Sequence, residues 1–274
     1  MSTRVGCGTL LDLFFKAICY MAKLNISVQL YTLRDQVAQD LSSVLNHVKA
    51  IGFAGAEIAG YGNLRTAEAV KAAFDSSGLK VSGSHVSIEA FEKDVKQVLA
   101  DQKALGNKNV IIPYLAENRR TSAADWRTFA GQCNEFGKIV ADQGMQLFYH
   151  NHAFEFEKFD GQLAMDIFLE HADPKLVKFE LDVYWIKHAG LEPAAYIKQY
   201  GDRIKLIHLK DMAAGEGKKF APVGTGILDF VAISDAAAAA GVEWGVVEQD
   251  DCYGENPLHL IEVSYNELRR FKIA

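Results

Sequence analysis

The chain has 274 residues, 49% apolar and 23% charged, with a formal net charge of −6 and a pI near 5.8. This length fits one large α/β domain or two small ones, and the composition is ordinary for a soluble globular protein. The acidic balance argues against a nucleic-acid partner, which needs a basic groove to track phosphates. The four cysteines, Cys7, Cys19, Cys133 and Cys252, are widely spaced with no CxxC pair. They read as neither a disulfide framework nor a zinc ribbon, so a reducing, cytoplasmic setting is expected.

Leu10–Tyr20 is apolar apart from Asp12 and Lys16, and Arg4 precedes it. It is too short and interrupted for a membrane span, and weak as a signal peptide because it lacks Ala-x-Ala. Residues 1–21 are therefore expected to be an extension outside the fold, with 22–274 as the domain. An export signal is the second reading. No membrane partner is expected.

From Leu24 onward strands and helices alternate. Ile26–Leu30 reads as the first strand. Val37–Ile51 is amphipathic, with Val37, Leu41, Val44, Leu45, Val48 and Ile51 at helical spacing before Gly52. Gly55–Ala59, Lys80–Val86 and Asn109–Tyr114 read as the next strands, separated by helices over Leu64–Ser77 and Ile88–Leu105. A long helix over Ser122–Gln143 leads to a fifth strand, Gln146–Asn151. The later strands are Val177–Val183, Arg203–Leu209 and Trp244–Glu248. They alternate with helices over Leu163–His171, Glu192–Tyr200, Asp229–Ala240 and Pro257–Phe271. Met212–Gly226 is the longest connection without a helix, and reads as a lid or a solvated loop. Eight β–α units of about 30 residues predict a single (β/α)8 TIM barrel, in the α/β class. An open doubly wound sheet is the runner-up, but the turn after the first strand lacks a glycine-rich phosphate motif.

Chemistry gathers at the strand ends, which in such a barrel face one bowl. Side chains alternate along a strand, so His150 and His152 point the same way, as do Glu180 and Asp182, and His208 and Lys210. Glu57 closes the second strand, His85 the third, and Glu248, followed by Asp250, the eighth. Buried groups of these types are costly unless paired or bound to a metal. The imidazole–carboxylate mixture suits Mn²⁺, Zn²⁺, Co²⁺ or Fe²⁺, whereas pure Mg²⁺ chemistry favours an all-oxygen set.

Five segments carry a resemblance: Ser27-Val-Gln-Leu-Tyr-Thr-Leu-Arg-Asp, Tyr149-His-Asn-His-Ala-Phe-Glu-Phe, Glu180-Leu-Asp-Val-Tyr-Trp, His208-Leu-Lys-Asp and Pro222-Val-Gly-Thr-Gly. From about Ile26 to the C-terminus the chain resembles the sugar phosphate isomerase/epimerase group of xylose isomerase-like TIM barrels. That superfamily includes tagatose 3-epimerases, inosose dehydratases and endonuclease IV. The resemblance implies one divalent ion (Mn²⁺, Zn²⁺, Co²⁺ or Mg²⁺) held by His150, Asp182, His208 and Glu248. His150 stands where relatives open a Glu-Asn-His triplet with glutamate, which removes one of the two bases of a symmetric epimerase. The implied activity is proton abstraction next to a carbonyl of a sugar or cyclitol, as a metal-dependent isomerase or epimerase. Metal-dependent elimination from a keto-sugar or inosose is the alternative. A non-catalytic sugar-binding barrel is the reading from another class. Glu248, Lys210, His152 and Glu57 are the acid/base candidates, and His85, Glu180, Tyr184 and Trp185 the substrate contacts. Assembly into a homo-oligomer is compatible with the sequence.

Overall fold

A computed structural model describes residues 24–274, so the extension expected over residues 1–21 lies outside the described residues. The barrel strands are β1 (Asn25–Gln29), β2 (Gly55–Ile58), β3 (Lys80–His85), β4 (Asn109–Ile112), β5 (Gln146–His150), β6 (Val177–Asp182), β7 (Ile204–Leu209) and β8 (Trp244–Val247). Each pairs in parallel with its sequence neighbours, and β1 closes the ring by pairing with both β2 and β8. The predicted single (β/α)8 barrel is the observed fold. Among the described residues, no helix is long and apolar enough to cross a membrane.

The expected helices form, several of them bounded by their own side chains. Thr66, Ser87 and Ser122 each accept a hydrogen bond from a backbone N–H in the first helical turn. Thr66 therefore starts its helix at Ala67, three residues later than the apolar pattern begins. The largest core cluster lies between the strands and the helix ring, and a second cluster of Ile111, Phe148, Leu206, Trp244 and Val246 fills the barrel interior. Two residues beyond several of these interior side chains, on the same faces, stand His150, His208 and Glu248. The period of two thus stacks an ionisable layer directly on an apolar floor.

Besides short 3₁₀ turns, three elements were not foreseen. A helix, Val183–His188, begins at the last residue of β6, because Asp182 Oδ1 accepts the N–H groups of Tyr184 and Trp185 at 2.8 and 3.2 Å. A two-stranded hairpin, Lys158–Phe159 with Gln162–Leu163, follows β5. A second hairpin pairs Asp211–Met212 with Phe220–Ala221, inside the stretch read as a lid or solvated loop. The buried Asp211 carboxylate accepts four N–H groups, from Met212 (2.7 Å), Gly224 (3.0 Å), Gly226 (2.8 Å) and Leu228 (3.2 Å). That stretch is therefore pinned to the barrel. Gly226 is required there, since a Cβ would lie 2.2 Å from the Met212 carbonyl oxygen.

Candidate active site

The ionisable strand ends converge on one cavity of about 540 Å³ at the C-terminal face, lined in part by His85, His150, His152, Lys210, Glu248 and Asp250. Its upper walls carry Tyr31 and Tyr114, each 46% exposed. A larger cavity of about 640 Å³ lies at the opposite end, where the strands begin, but none of its charged groups is buried. The chemistry therefore belongs to the smaller one.

At the floor of the cavity lies a layer of three imidazoles, two of which, His85 and His150, reach its lining, over two fully buried carboxylates. Glu180 Oε2 lies 3.1 Å from His85 Nε2, 3.2 Å from His150 Nδ1 and 3.3 Å from His208 Nε2. Glu57 Oε1 lies 3.0 Å from His85 Nε2 and 2.9 Å from His208 Nε2, and accepts a hydrogen bond from Gln29 Nε2 at 2.6 Å. Gly83 makes the space for Glu57, because a Cβ there would stand 2.6 Å from Glu57 Oε2. His150 Nδ1 has no hydrogen-bond partner despite its closeness to Glu180, since the geometry is not that of a hydrogen bond.

Beside this layer, Lys210 Nζ lies 3.4 Å from Asp182 Oδ2, 3.0 Å from Glu248 Oε2 and 2.7 Å from Asp250 Oδ2. Glu248 Oε2 is also 2.9 Å from His208 Nδ1. Asp182 and His208 are fully buried, and Lys210 is 1% exposed.

The charges follow from these neighbours. Burial opposes ionisation of Lys210, but the carboxylates of Glu248, Asp182 and Asp250 outweigh it and keep the ammonium charged. Burial raises Glu57, yet the imidazoles of His85 and His208 hold it well below the usual carboxylate range. Burial lowers His85, but Glu57 and Glu180 lift it to about 9. Burial, then the Lys210 charge, press His152 down to about 3, so it is a neutral imidazole at ordinary pH. Burial and the neighbouring Glu248 raise Asp250 to about 6.

Of the predicted metal set, His150, Asp182, His208 and Glu248 come together, with one donor atom from each within 4.8 Å of all the others. A second group, His85, His150, Glu180 and His208, meets the same criterion. The buried His150 Nδ1 and Asp182 Oδ2, both without hydrogen-bond partners, fit a metal-ligating role. The mixed nitrogen and oxygen donors suit a divalent transition ion.

Other expected site residues lie off the cavity wall. Glu57, proposed as catalytic, and Glu180, proposed as a substrate contact, are fully buried under the imidazoles and do not line the cavity. Tyr184 does not wall the cavity either. The helix that starts at Val183 turns it beneath the second hairpin, where its ring packs on Phe220 at 4.6 Å and its hydroxyl donates to the Lys218 carbonyl. Trp185 stands behind Lys210 Nζ, with its ring centroid 5.4 Å away. Sequence reasoning missed Gln29, Tyr31, Tyr114 and Glu155. Glu155 accepts the Tyr149 hydroxyl at 2.6 Å and the His152 N–H at 2.8 Å, and so fixes the backbone beyond β5.

Residues 45–265 match the family described as xylose isomerase-like TIM barrel. The chain belongs to that family. Among curated proteins, it is 23% identical to an inosose dehydratase of Clostridium botulinum over 61% of this chain and 62% of that protein. It is 22% identical to an inosose dehydratase of Lactiplantibacillus plantarum, over 85% of this chain and 89% of that protein. The clostridial matches thus span about three fifths of those relatives, 62% and 60% of two of them. Among solved structures, a sugar phosphate isomerase/epimerase from Parabacteroides distasonis superposes with a TM-score of 0.79 at 25% identity, covering 91% of this chain and 96% of that one. A 3-keto-D-glucoside 4-epimerase from E. coli shares the fold, with a TM-score of 0.69 at 18% identity, covering 92% and 100%.

Proposed function

We propose that this protein is a divalent-metal-dependent enzyme that removes a proton from the carbon beside a carbonyl of a sugar or cyclitol, and isomerises or epimerises it. The observation that carries the reading is the contact of Glu248 with Lys210, a carboxylate and an ammonium 3.0 Å apart on the cavity wall beside the imidazole–carboxylate layer. Such a pair is costly to bury, and catalysis uses both members, the carboxylate as a base and the ammonium beside developing negative charge.

A divalent ion held by His150, Asp182, His208 and Glu248 would supply Lewis-acid polarisation of the carbonyl, which makes the neighbouring C–H more acidic. The mixed donors favour Mn²⁺, Zn²⁺ or Co²⁺ over Mg²⁺. Glu248 accepts the substrate proton as general base, and the Lys210 ammonium stabilises the negative charge that develops on oxygen. His152, neutral and at the cavity wall, can hydrogen-bond a substrate hydroxyl. Tyr31 and Tyr114 offer flat faces to the sugar, and guanidinium groups steady both, Arg34 over Tyr31 at 4.6 Å and Arg120 over Tyr114 at 5.6 Å.

Elimination is the second reading. The inosose dehydratase relatives favour it, and it shares the first proton abstraction. A panel of keto-sugars and cyclitols, run on protein reloaded with Mn²⁺, tests the proposal. An isomer or epimer as product supports it. An unsaturated product with loss of water moves the assignment to the lyase reading, and binding without turnover moves it to the sugar-binding barrel. Tyr114→Ala is expected to raise KM about 2–10-fold, the worth of one aromatic face, with a smaller change in kcat.

A further inference from the structure

We propose that Asp250 selects the substrate. Its carboxylate accepts two adjacent hydroxyls of a neutral polyhydroxy ring whose C–H face lies on Tyr31, and Arg34 positions both groups. This rests on the reading of the cavity as a sugar or cyclitol site and deepens it, because the proton abstraction itself uses neither Asp250 nor Arg34.

Three observations carry the assignment. The first is access. Of the charged side chains that meet at Lys210 Nζ, Asp182, Glu248 and Lys210 itself are buried. The Asp250 side chain keeps 26% of its surface open and lines the cavity. Lys210 Nζ lies 2.7 Å from Asp250 Oδ2. Among the described residues no hydrogen bond to Asp250 Oδ1 is found, and Lys210 is the one side chain that hydrogen-bonds this carboxylate. A carboxylate has acceptor sites on both oxygens and takes paired donors side by side, which two neighbouring ring hydroxyls supply.

The second observation is the mounting. Gln249 N donates to Thr32 Oγ1 at 3.0 Å, Gln249 Nε2 donates to the Asp251 carbonyl at 3.0 Å, and Arg34 Nη1 donates to the Asp250 carbonyl at 3.0 Å. The backbone around Asp250 is thus tied to the turn that follows β1. The carboxylate is aimed before a ligand arrives, which lowers the ordering cost of binding.

The third observation is the shared guanidinium. Arg34 Nη1 also donates to the Tyr31 carbonyl at 3.0 Å, and the guanidinium lies 4.6 Å from the centre of the Tyr31 ring. One exposed side chain, itself outside the cavity lining, therefore fixes a flat aromatic face and a carboxylate relative to each other. An apolar face beside an acceptor matches a ring with C–H groups on its face and hydroxyls at its edge. The sign of the charge makes that ring neutral. Lys210 already faces three carboxylates, so an acid or phosphate group beside Asp250 would set anion against anion.

Titration of the metal-loaded protein with neutral keto-sugars and cyclitols, D-fructose and an inosose among them, identifies the compound held best. Its single-deoxy analogues then test the assignment in the unaltered protein and in Asp250→Ala. In the unaltered protein, loss of either of two adjacent hydroxyls is expected to weaken binding about 10–100-fold, the worth of a hydrogen bond to a charged acceptor. In Asp250→Ala the parent compound is expected to lose a similar amount, and the same two analogues no more than about 3-fold beyond it, because hydroxyl and acceptor are then both absent. Deoxy analogues that lose as much in the variant as in the unaltered protein overturn the inference. Arg34→Ala, on an exposed side chain, is expected to raise KM about 3–10-fold and to leave kcat within about 2-fold. A fall in kcat at unchanged KM overturns the positioning role. A metal-loaded protein that binds no keto-sugar or cyclitol sinks the proposed function and this inference together. One that binds and converts such a ring, with a deoxy pattern blind to Asp250, sinks this inference alone.

Discussion

Glu248→Gln is expected to lower proton exchange and turnover by about 10²–10⁴-fold, the range lost when a positioned general base is removed. The amide keeps the volume of the carboxylate and one oxygen acceptor, so Lys210 Nζ, 3.0 Å from Oε2, and His208 Nδ1, 2.9 Å from it, retain a neighbour. What the amide cannot do is take a proton. Bound Co²⁺ is expected to fall less than it does in Asp182→Ala, because the amide keeps one oxygen donor. Steady-state kinetics alongside a Co²⁺ titration separate the two effects. Equal loss of metal and activity would make Glu248 a ligand first and a base second.

The largest expected loss of stability belongs to Asp211→Ala. Its carboxylate satisfies four backbone N–H groups drawn from Met212, Gly224, Gly226 and Leu228. Alanine leaves them without an acceptor in a buried setting, where each unmet donor costs about 1–3 kcal/mol and the costs are only partly additive. A total of roughly 3–5 kcal/mol, and a fall in Tm of roughly 6–20 °C, is expected in thermal unfolding. Asp211→Asn keeps one carbonyl oxygen and is expected to lose less. The hairpin that these bonds hold also covers Tyr184 through Phe220, so Asp211→Ala is expected to loosen the wall behind Lys210.

Much of this was legible in the chain because two simple periodicities carried it. The alternation of apolar strands with amphipathic helices such as Arg34–Ile51 implied parallel pairing, and eight repeats implied closure. The strand period of two brings His150, Asp182, His208, Lys210 and Glu248 to one end of the barrel. What that period could not reveal was depth. Glu180 shares a face with Asp182, yet one step further down the strand puts it beneath the imidazoles and not beside the substrate. Glu57 is buried for the same reason, under His85.

The missed residues lay where periodicity ends. Tyr31 lies in a short 3₁₀ turn, Leu30–Leu33, just past β1, and Tyr114 two residues past β4, at the end of the expected strand, where an aromatic is a usable signal. Gln29 is an uncharged side chain in a strand of apolar neighbours, and its role appears only when Glu57 is set opposite it in the register of β1 and β2. The helix Val183–His188 depends on Asp182 capping two N–H groups with the carboxylate oxygen that does not face Lys210. That double duty follows from the backbone turn at the strand end, which strand propensity alone did not disclose.

The most direct test of the central claim is solvent exchange. Metal-reloaded protein is incubated in D₂O with keto-sugars and cyclitols, and the proton beside the carbonyl is followed by NMR. The account predicts deuterium incorporation at that carbon, abolished by chelation and restored by Mn²⁺ or Co²⁺. A fully metal-loaded protein that binds these compounds and leaves that proton in place would contradict it.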